Sequence, residues 1–305
     1  MDIQTIATGL RFPEGPIAMD DGSVVLVEIE RGTLSRVSPD GAIDVIADLG
    51  GGPNGAAVGP DGAVYLCNNG GFEWHELPDG RLLPGDKPGN YSGGRIERVD
   101  LASGAVSVLY TECNGNPLNG PNDIVFDAQG GFYFTDLGKN YGRHQDRGAV
   151  YYATPDGASI TELVFPVNTP NGVGLSPDEK TLYFAETITG RVWAYPIDSP
   201  GKLQGGGAPG TGQCLAGVPG FQLFDSLAVD ADGNVCVATI VNGGITSISP
   251  DGGTVTHTPM KDRLTTNICF GGEGLKTAYI TLSSIGELVA CPWPVAGLPL
   301  NFLNK

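Results

Sequence analysis

Six oxygen-bearing residues recur along the chain at related positions: Glu14, Asn54, Asn122, Asn171, Asp225 and Asn267, at intervals of 40, 68, 49, 54 and 42 residues, with Asp123 adjoining Asn122. Each stands just before a short apolar run. None is His or Cys. Hard oxygen donors, amide carbonyls included, suit Ca²⁺, which takes about six to eight of them. Glu14 and Asp225 supply two negative charges, the number that balances one divalent ion. Without a cation, carboxylates gathered at a narrow opening repel, and one titrates upward. The plainer alternative is that Asn and Asp cap turns ahead of strands. Four such residues in register across successive units favour a ligand set. The three histidines, His75, His144 and His257, form no adjacent pair. No His-Glu-x-x-His and no Gly-x-Ser-x-Gly occurs, so a His dyad, a zinc-protease helix and a serine nucleophile elbow are all unsupported.

The elements that must position these residues form a repeat. NGAAVGPDGAVYLCNN, NDIVFDAQGGFYFTDL, NGVGLSPDEKTLYFAET and DSLAVDADGNVCVATI share an anchor, an apolar run, a tight Asp-Gly or Gly-rich turn and a second β-rich run. EGPIAMDDGSVVLVEIE and NICFGGEGLKTAYITLSS are diverged first and sixth copies. Third and fourth runs follow most pairs. A four-stranded propeller blade needs about 40–50 residues, so six units predict an all-β, six-bladed propeller with one large insertion in unit two. The sixth unit lacks a fourth run, and the N-terminal DIQTIAT is expected to supply it and close the ring. Residues 1–305 then form a single domain.

In that architecture all six anchors lie at one mouth of the central channel. The long connections GGFEWHELPDGRLLPGDKPGNYSGG and GKNYGRHQDRG lie over the same mouth. They carry Trp74, His75, Tyr91, Tyr141, Arg143, His144 and Arg147, groups suited to an apolar ring with an anionic tail. Asn54, Asn122, Trp74, His75, Tyr141 and His144 are the candidate substrate contacts. The Gly-rich SPGKLQGGGAPGTG falls on the opposite face and has no Gly-Lys-Ser/Thr, so it reads as a surface loop and not a phosphate loop.

Composition narrows the function classes. Seventeen Lys plus Arg against thirty-four Asp plus Glu give a net charge of −17, a poor match for nucleic acid or anionic lipid. Forty-eight glycines and 23 prolines without a Gly-X-Y period imply many tight turns. No run approaches the ~18 apolar residues of a membrane span, and MDIQTIATGLRFPEGP has no signal-peptide pattern. The six cysteines form no Cys-x-x-Cys pair, and several sit in apolar runs such as NVCVATI, so reduced buried thiols and a cytoplasmic location are expected.

FPEGPIAMDDGSVVLVEI, GPNDIVFDAQGGFYFTD, PNGVGLSPDEKTLYFAET, FDSLAVDADGNVCVA and TNICFGGEGLKTAYIT together resemble the gluconolactonase, senescence-marker-protein-like and luciferin-regenerating propeller family. The resemblance spans all six units. It implies that Glu14, Asn171 and Asp225 fall on the family's divalent-metal ligands, and Asn122 on a further ligand or substrate contact. It implies one divalent ion, Ca²⁺ first, with Mg²⁺, Mn²⁺, Zn²⁺ and Fe²⁺ as alternatives. The expected activity is hydrolysis of a small lactone or cyclic ester. In that reading the metal polarises the carbonyl, and Asp225 or Asp123 activates water as general base. Gly120 stands where sugar-lactonase members carry Arg, which points away from an aldonolactone. Organophosphate hydrolysis of the diisopropylfluorophosphatase type is the enzymatic alternative. A non-catalytic propeller that binds a partner on its mouth is the other.

Overall fold

The computed structural model describes residues 2–208 and 210–305. It is a six-bladed β-propeller. The inner strands are Pro13–Ala18, Pro53–Val58, Pro121–Phe126, Pro170–Leu175, Leu223–Val229 and Thr265–Gly271. Each pairs antiparallel with a second strand across the tight turn expected from the sequence. Third and outer strands complete the blades. Gln4–Ala7 pairs with Glu287–Pro292 as the outer strand of blade six, so the ring closes as expected.

Six buried clusters hold the blades together. The one between blades one and two joins Ile17, Val25, Val27 and Leu34 to Val64, Leu66 and Val99. The side chains that face a neighbouring blade alternate along each strand with the period of two that the pleat imposes. The Gly-rich stretch 199–212 joins the third and outer strands of blade four. It contributes a two-residue strand, Lys202–Leu203, and a short turn, Gln204–Gly207; Pro209 lies outside the described residues.

Two features place the anchors. Every inner strand breaks register beside its anchor: between Glu14 and Ile17, Pro53 and Ala56, Pro121 and Ile124, Pro170 and Val173, Phe224 and Leu227, and Thr265 and Asn267. Such bulges bend a strand and re-aim its side chains. In blades one to four a proline opens the strand, where its missing N–H costs no ladder bond. The residue after the anchor is Gly15, Gly55 or Gly172 in three blades. A Cβ on Gly55 would stand 2.6 Å from the Asn122 carbonyl oxygen, and one on Gly172 would stand 2.7 Å from the Ser226 carbonyl carbon. In these three blades the anchor segment therefore lies tightly against that of the next blade.

At the opposite end of the channel, Leu298, Leu300 and Leu303 close an apolar cavity of about 210 Å³. Asn301 donates to the Phe126 carbonyl and to Glu179, and Lys305 also reaches Glu179. Nothing in the sequence pattern announces this plug.

Candidate active site at the channel mouth

The anchors are buried at the mouth: Glu14, Asn54, Asn122, Asp123, Asn171, Asp225 and Asn267 are all at most 8 % exposed. Glu14 Oε2 accepts hydrogen bonds from Asn267 Nδ2 (2.7 Å) and from the Gly15 amide (2.8 Å). Asn267 Oδ1 is taken by the Ile268 amide, so this anchor orients Glu14 and has little left for a ligand. Asn171 is held from two sides: Nδ2 donates to Thr187 Oγ1 (3.2 Å), and Oδ1 accepts from Ser226 Oγ (3.3 Å). Asn122 Oδ1 is a buried acceptor with no hydrogen-bond partner. A buried carbonyl oxygen left unpaired costs about 1–3 kcal/mol, so its vacancy calls for an explanation.

The carboxylates are strained electrostatically. Burial pushes Glu14 up to about 7. Burial, and then the Glu14 charge, push Asp123 up to about 8. Asp225 is raised well above the ordinary range by burial and by Glu14, with Asp123 adding to the effect and Asn171 opposing it. Three acids that each resist ionisation at one mouth form a site that stabilises positive charge. Among the described residues, no three His, Cys, Asp or Glu side chains assemble into a metal-holding cluster. The candidate set instead draws half of its donors from asparagine. Two carboxylates, one orphaned amide oxygen and a second amide match a hard divalent ion in donor chemistry and in charge.

Asp123 differs from the other anchors. Its Oδ1 accepts from the Ile124 amide (3.0 Å) and its Oδ2 from the Val173 amide (3.2 Å). It thereby ties blade three to blade four, and like Asn267 it lines the inner end of the far cavity.

Sequence reasoning missed a second ring. The last residue of the second strand in four blades accepts backbone N–H bonds from the segment that enters the inner strand. Glu28 takes Arg11 N (2.8 Å), and Asn68 takes Gly52 N (2.9 Å). Asp136 takes Asn119 N and Gly120 N (2.7 Å each), and Glu186 takes Asn168 N (3.0 Å). The signal was present in VLVE, YLCN, YFTD and YFAE, apolar runs that each end in an acid or amide. At Gly120 a Cβ would meet the Gly138 carbonyl oxygen at 2.5 Å, so this backbone leaves no room for a side chain there.

The loops over the mouth are ordered by contacts that cross blades. The unit-two loop forms a hairpin, Trp74–Glu76 with Leu82–Pro84. Trp74 packs on Phe12 (ring centroids 5.0 Å apart) and on Phe72 (6.1 Å), and the Leu82 amide bonds Ser284 O. The hairpin thus reaches blades one and six. Trp74 is half-buried in that packing, whereas His75 is exposed. On the unit-three loop, Tyr141 stacks on exposed His144 at 5.2 Å, and its hydroxyl donates to Asp146. Over blades four and five the connections 187–190 and 241–243 are short. His257 lies in an outer strand, bonded to Thr246.

All six cysteines are free, and five are buried. Among the described residues, no helix is long and apolar enough to cross a membrane.

The chain is similar to known proteins. A gluconolactonase of Zymomonas mobilis is 26% identical over 313 residues, covering 92% of this chain and 79% of its own length. Lactonase drp35 of Staphylococcus haemolyticus is 31% identical over 235 residues, and that match covers 76% of this chain but 64% of the relative. The crystal structure of a calcium-binding protein, regucalcin, from Agrobacterium tumefaciens superimposes with a TM-score of 0.74 at 18% identity, covering 100% of this chain and 98% of that one. Residues 12–284 match the family described as SMP-30/Gluconolactonase/LRE-like region, and the chain belongs to that family.

Proposed function

We propose that the protein is a lactonase with one divalent cation, Ca²⁺ foremost, held at the mouth by Glu14, Asn122, Asn171 and Asp225. The observation that carries this reading is the partnerless, buried Asn122 Oδ1 at the same mouth as acids that burial and mutual repulsion keep from ionising. The gluconolactonase and lactonase relatives support the reaction class. The bound cation would polarise the lactone carbonyl and stabilise the charge that develops on it.

The side chains of the chain do the rest. Asn267 and the Gly15 amide fix the Glu14 carboxylate, while Thr187 and Ser226 fix the Asn171 amide. Asp225 accepts the proton of the attacking water. Asp123 is the weaker candidate for that role, because backbone amides occupy both of its oxygens. Asn54, Trp74, His75, Tyr141 and His144 contact the substrate. The substrate is a lactone or cyclic ester with an apolar or carboxylate substituent, in preference to a polyhydroxylated sugar lactone, since position 120 admits no side chain. Residues 1–305 act as one propeller domain, in the cytoplasm, where six free thiols persist.

The test is a panel of lactones followed by proton release, with and without chelator. Hydrolysis that is abolished by chelator and restored by Ca²⁺ is expected. Absence of hydrolysis across the panel, or hydrolysis indifferent to chelator, refutes the reading.

A further inference from the structure

Lys139 is fully buried in the unit-three loop and makes no ion pair with any described carboxylate. Its Nζ donates to Gly71 O (2.7 Å) and to Asn69 Oδ1 (3.0 Å), both at the start of the unit-two loop, and it lies 4.0 Å above the Phe72 ring. Tyr91, further along the same loop, faces it at 5.6 Å. Asn69 Oδ1 also accepts from the Gly71 amide (2.9 Å), which fixes the orientation of the amide and leaves Nδ2 buried without a partner. A neighbouring backbone bond, Lys87 N to Asn140 O, joins the same two loops.

We infer that Lys139 is a positioning residue that latches the unit-two and unit-three loops together over the mouth; the inference rests on the reading of that mouth as the substrate site. One side chain spans the two loops and satisfies a backbone carbonyl and a side-chain oxygen of the opposite loop. It also packs Nζ on the ring of Phe72, the neighbour of Trp74's hairpin. A neutral amine still carries two N–H donors, so both hydrogen bonds persist when Nζ gives up its proton.

The latch has a pH signature with a definite sign. The charged groups that act on Lys139 are Asp136 and Asp146, which favour its ammonium, and Lys87, which disfavours it. Burial outweighs them and holds the closed-state value down to about 7, against the ordinary 10.5 once the loops part and water returns. Closed loops therefore bind fewer protons than open ones above pH 7. Closure strengthens as pH rises from 7 towards 10, by up to about ten-fold per pH unit.

Hydrogen exchange of the full-length protein, read as protection factors of amides in 70–76 and 140–146, tests this without reference to catalysis. Wild-type protection should rise from pH 7 to 9. Lys139→Met keeps the alkyl packing but should lower loop protection by about ten-fold at pH 8 and abolish the rise, leaving inner-strand amides unchanged. Asn69→Asp loses no hydrogen bond, because Nδ2 has no partner. It sets a carboxylate against Nζ, so it should keep the loops protected and flatten the rise by returning Lys139 to the ordinary lysine range. With dihydrocoumarin as probe, Lys139→Met should raise KM about three- to ten-fold, with kcat changed less than about two-fold. Loop protection or KM unaltered in Lys139→Met overturns the inference, as does a pH rise that persists in either variant. Loss of dihydrocoumarin hydrolysis in every protein, the wild type included, overturns the lactonase reading instead, and the exchange data still decide the latch.

Discussion

Stripping the metal and raising the pH should destabilise this protein, and the size of the effect follows from the acids at the mouth. Glu14 moves from 4.5 to about 7 on folding. A carboxyl with a raised native value binds more protons folded than unfolded between those limits, so stability falls with pH across that window. At about 1.4 kcal/mol per unit, Glu14 alone removes about 3 kcal/mol between pH 4.5 and pH 8. Asp123, up to about 8, and Asp225, raised well above the ordinary carboxylate range, act in the same direction. Shared protons make the three less than additive. For a chain of this size, 3 kcal/mol lowers Tm by several degrees. Calorimetry in chelator at pH 5, 6, 7 and 8 should show this decline, and Ca²⁺ should reverse it by supplying the missing counter-charge. Asp225→Asn removes one of the repelling charges, so the metal-free variant should lose less stability over the same window. If the chelated wild type is equally stable at pH 5 and pH 8, or if Asp225→Asn has the wild-type slope, the mouth is not an uncompensated acidic site and the reasoning fails.

Asp225→Asn should lower kcat for lactone hydrolysis by about a hundred-fold or more with the fold intact, measured by proton release and circular dichroism; unchanged turnover would favour a non-catalytic binding role. Asn122→Leu fills the place of the orphaned oxygen with carbon, so it should weaken Ca²⁺ affinity by about ten-fold or more in calorimetric titration while leaving metal-free stability within about 1 kcal/mol of wild type. Gly172→Ala drives a methyl into the Ser226 backbone, and it should lower both Tm and metal affinity, because the blade contact that sets the spacing of Asn171 and Asp225 must give way. Deleting the loop from Phe72 to Ser92 should raise KM and alter lactone selectivity while Ca²⁺ affinity stays near wild type, since the proposed ligands sit on strand ends.

The repeat was legible because blades obey local rules. A period of two in the strands, Asp-Gly or Gly-rich turns and an oxygen-bearing residue, which the structure puts second or third in each inner strand and not ahead of it, survive divergence in each unit, and they place Glu14, Asn122, Asn171 and Asp225 at one mouth. The closing role of Gln4–Ala7 could be inferred because blade six otherwise lacks a strand. What the pattern hid is the contacts between blades. Whether Asp123 faces a ligand or the amides of the neighbouring blade depends on a bulge at Pro121–Ile124, and a bulge has no composition of its own. Lys139 read as a loop residue, yet it is fully buried, because its partners Asn69 and Gly71 lie about 70 residues away and loops carry no periodicity to link them. The plug formed by Leu298, Leu300 and Leu303 was invisible for the same reason.

The most direct measurement is anomalous diffraction from crystals soaked in Mn²⁺, a scattering stand-in for Ca²⁺. One peak should stand between the Glu14 and Asp225 carboxylates and the Asn122 and Asn171 side-chain oxygens, within about 2.0–2.6 Å of each. A peak elsewhere, or no peak at a concentration that restores activity to the chelated enzyme, would contradict the account.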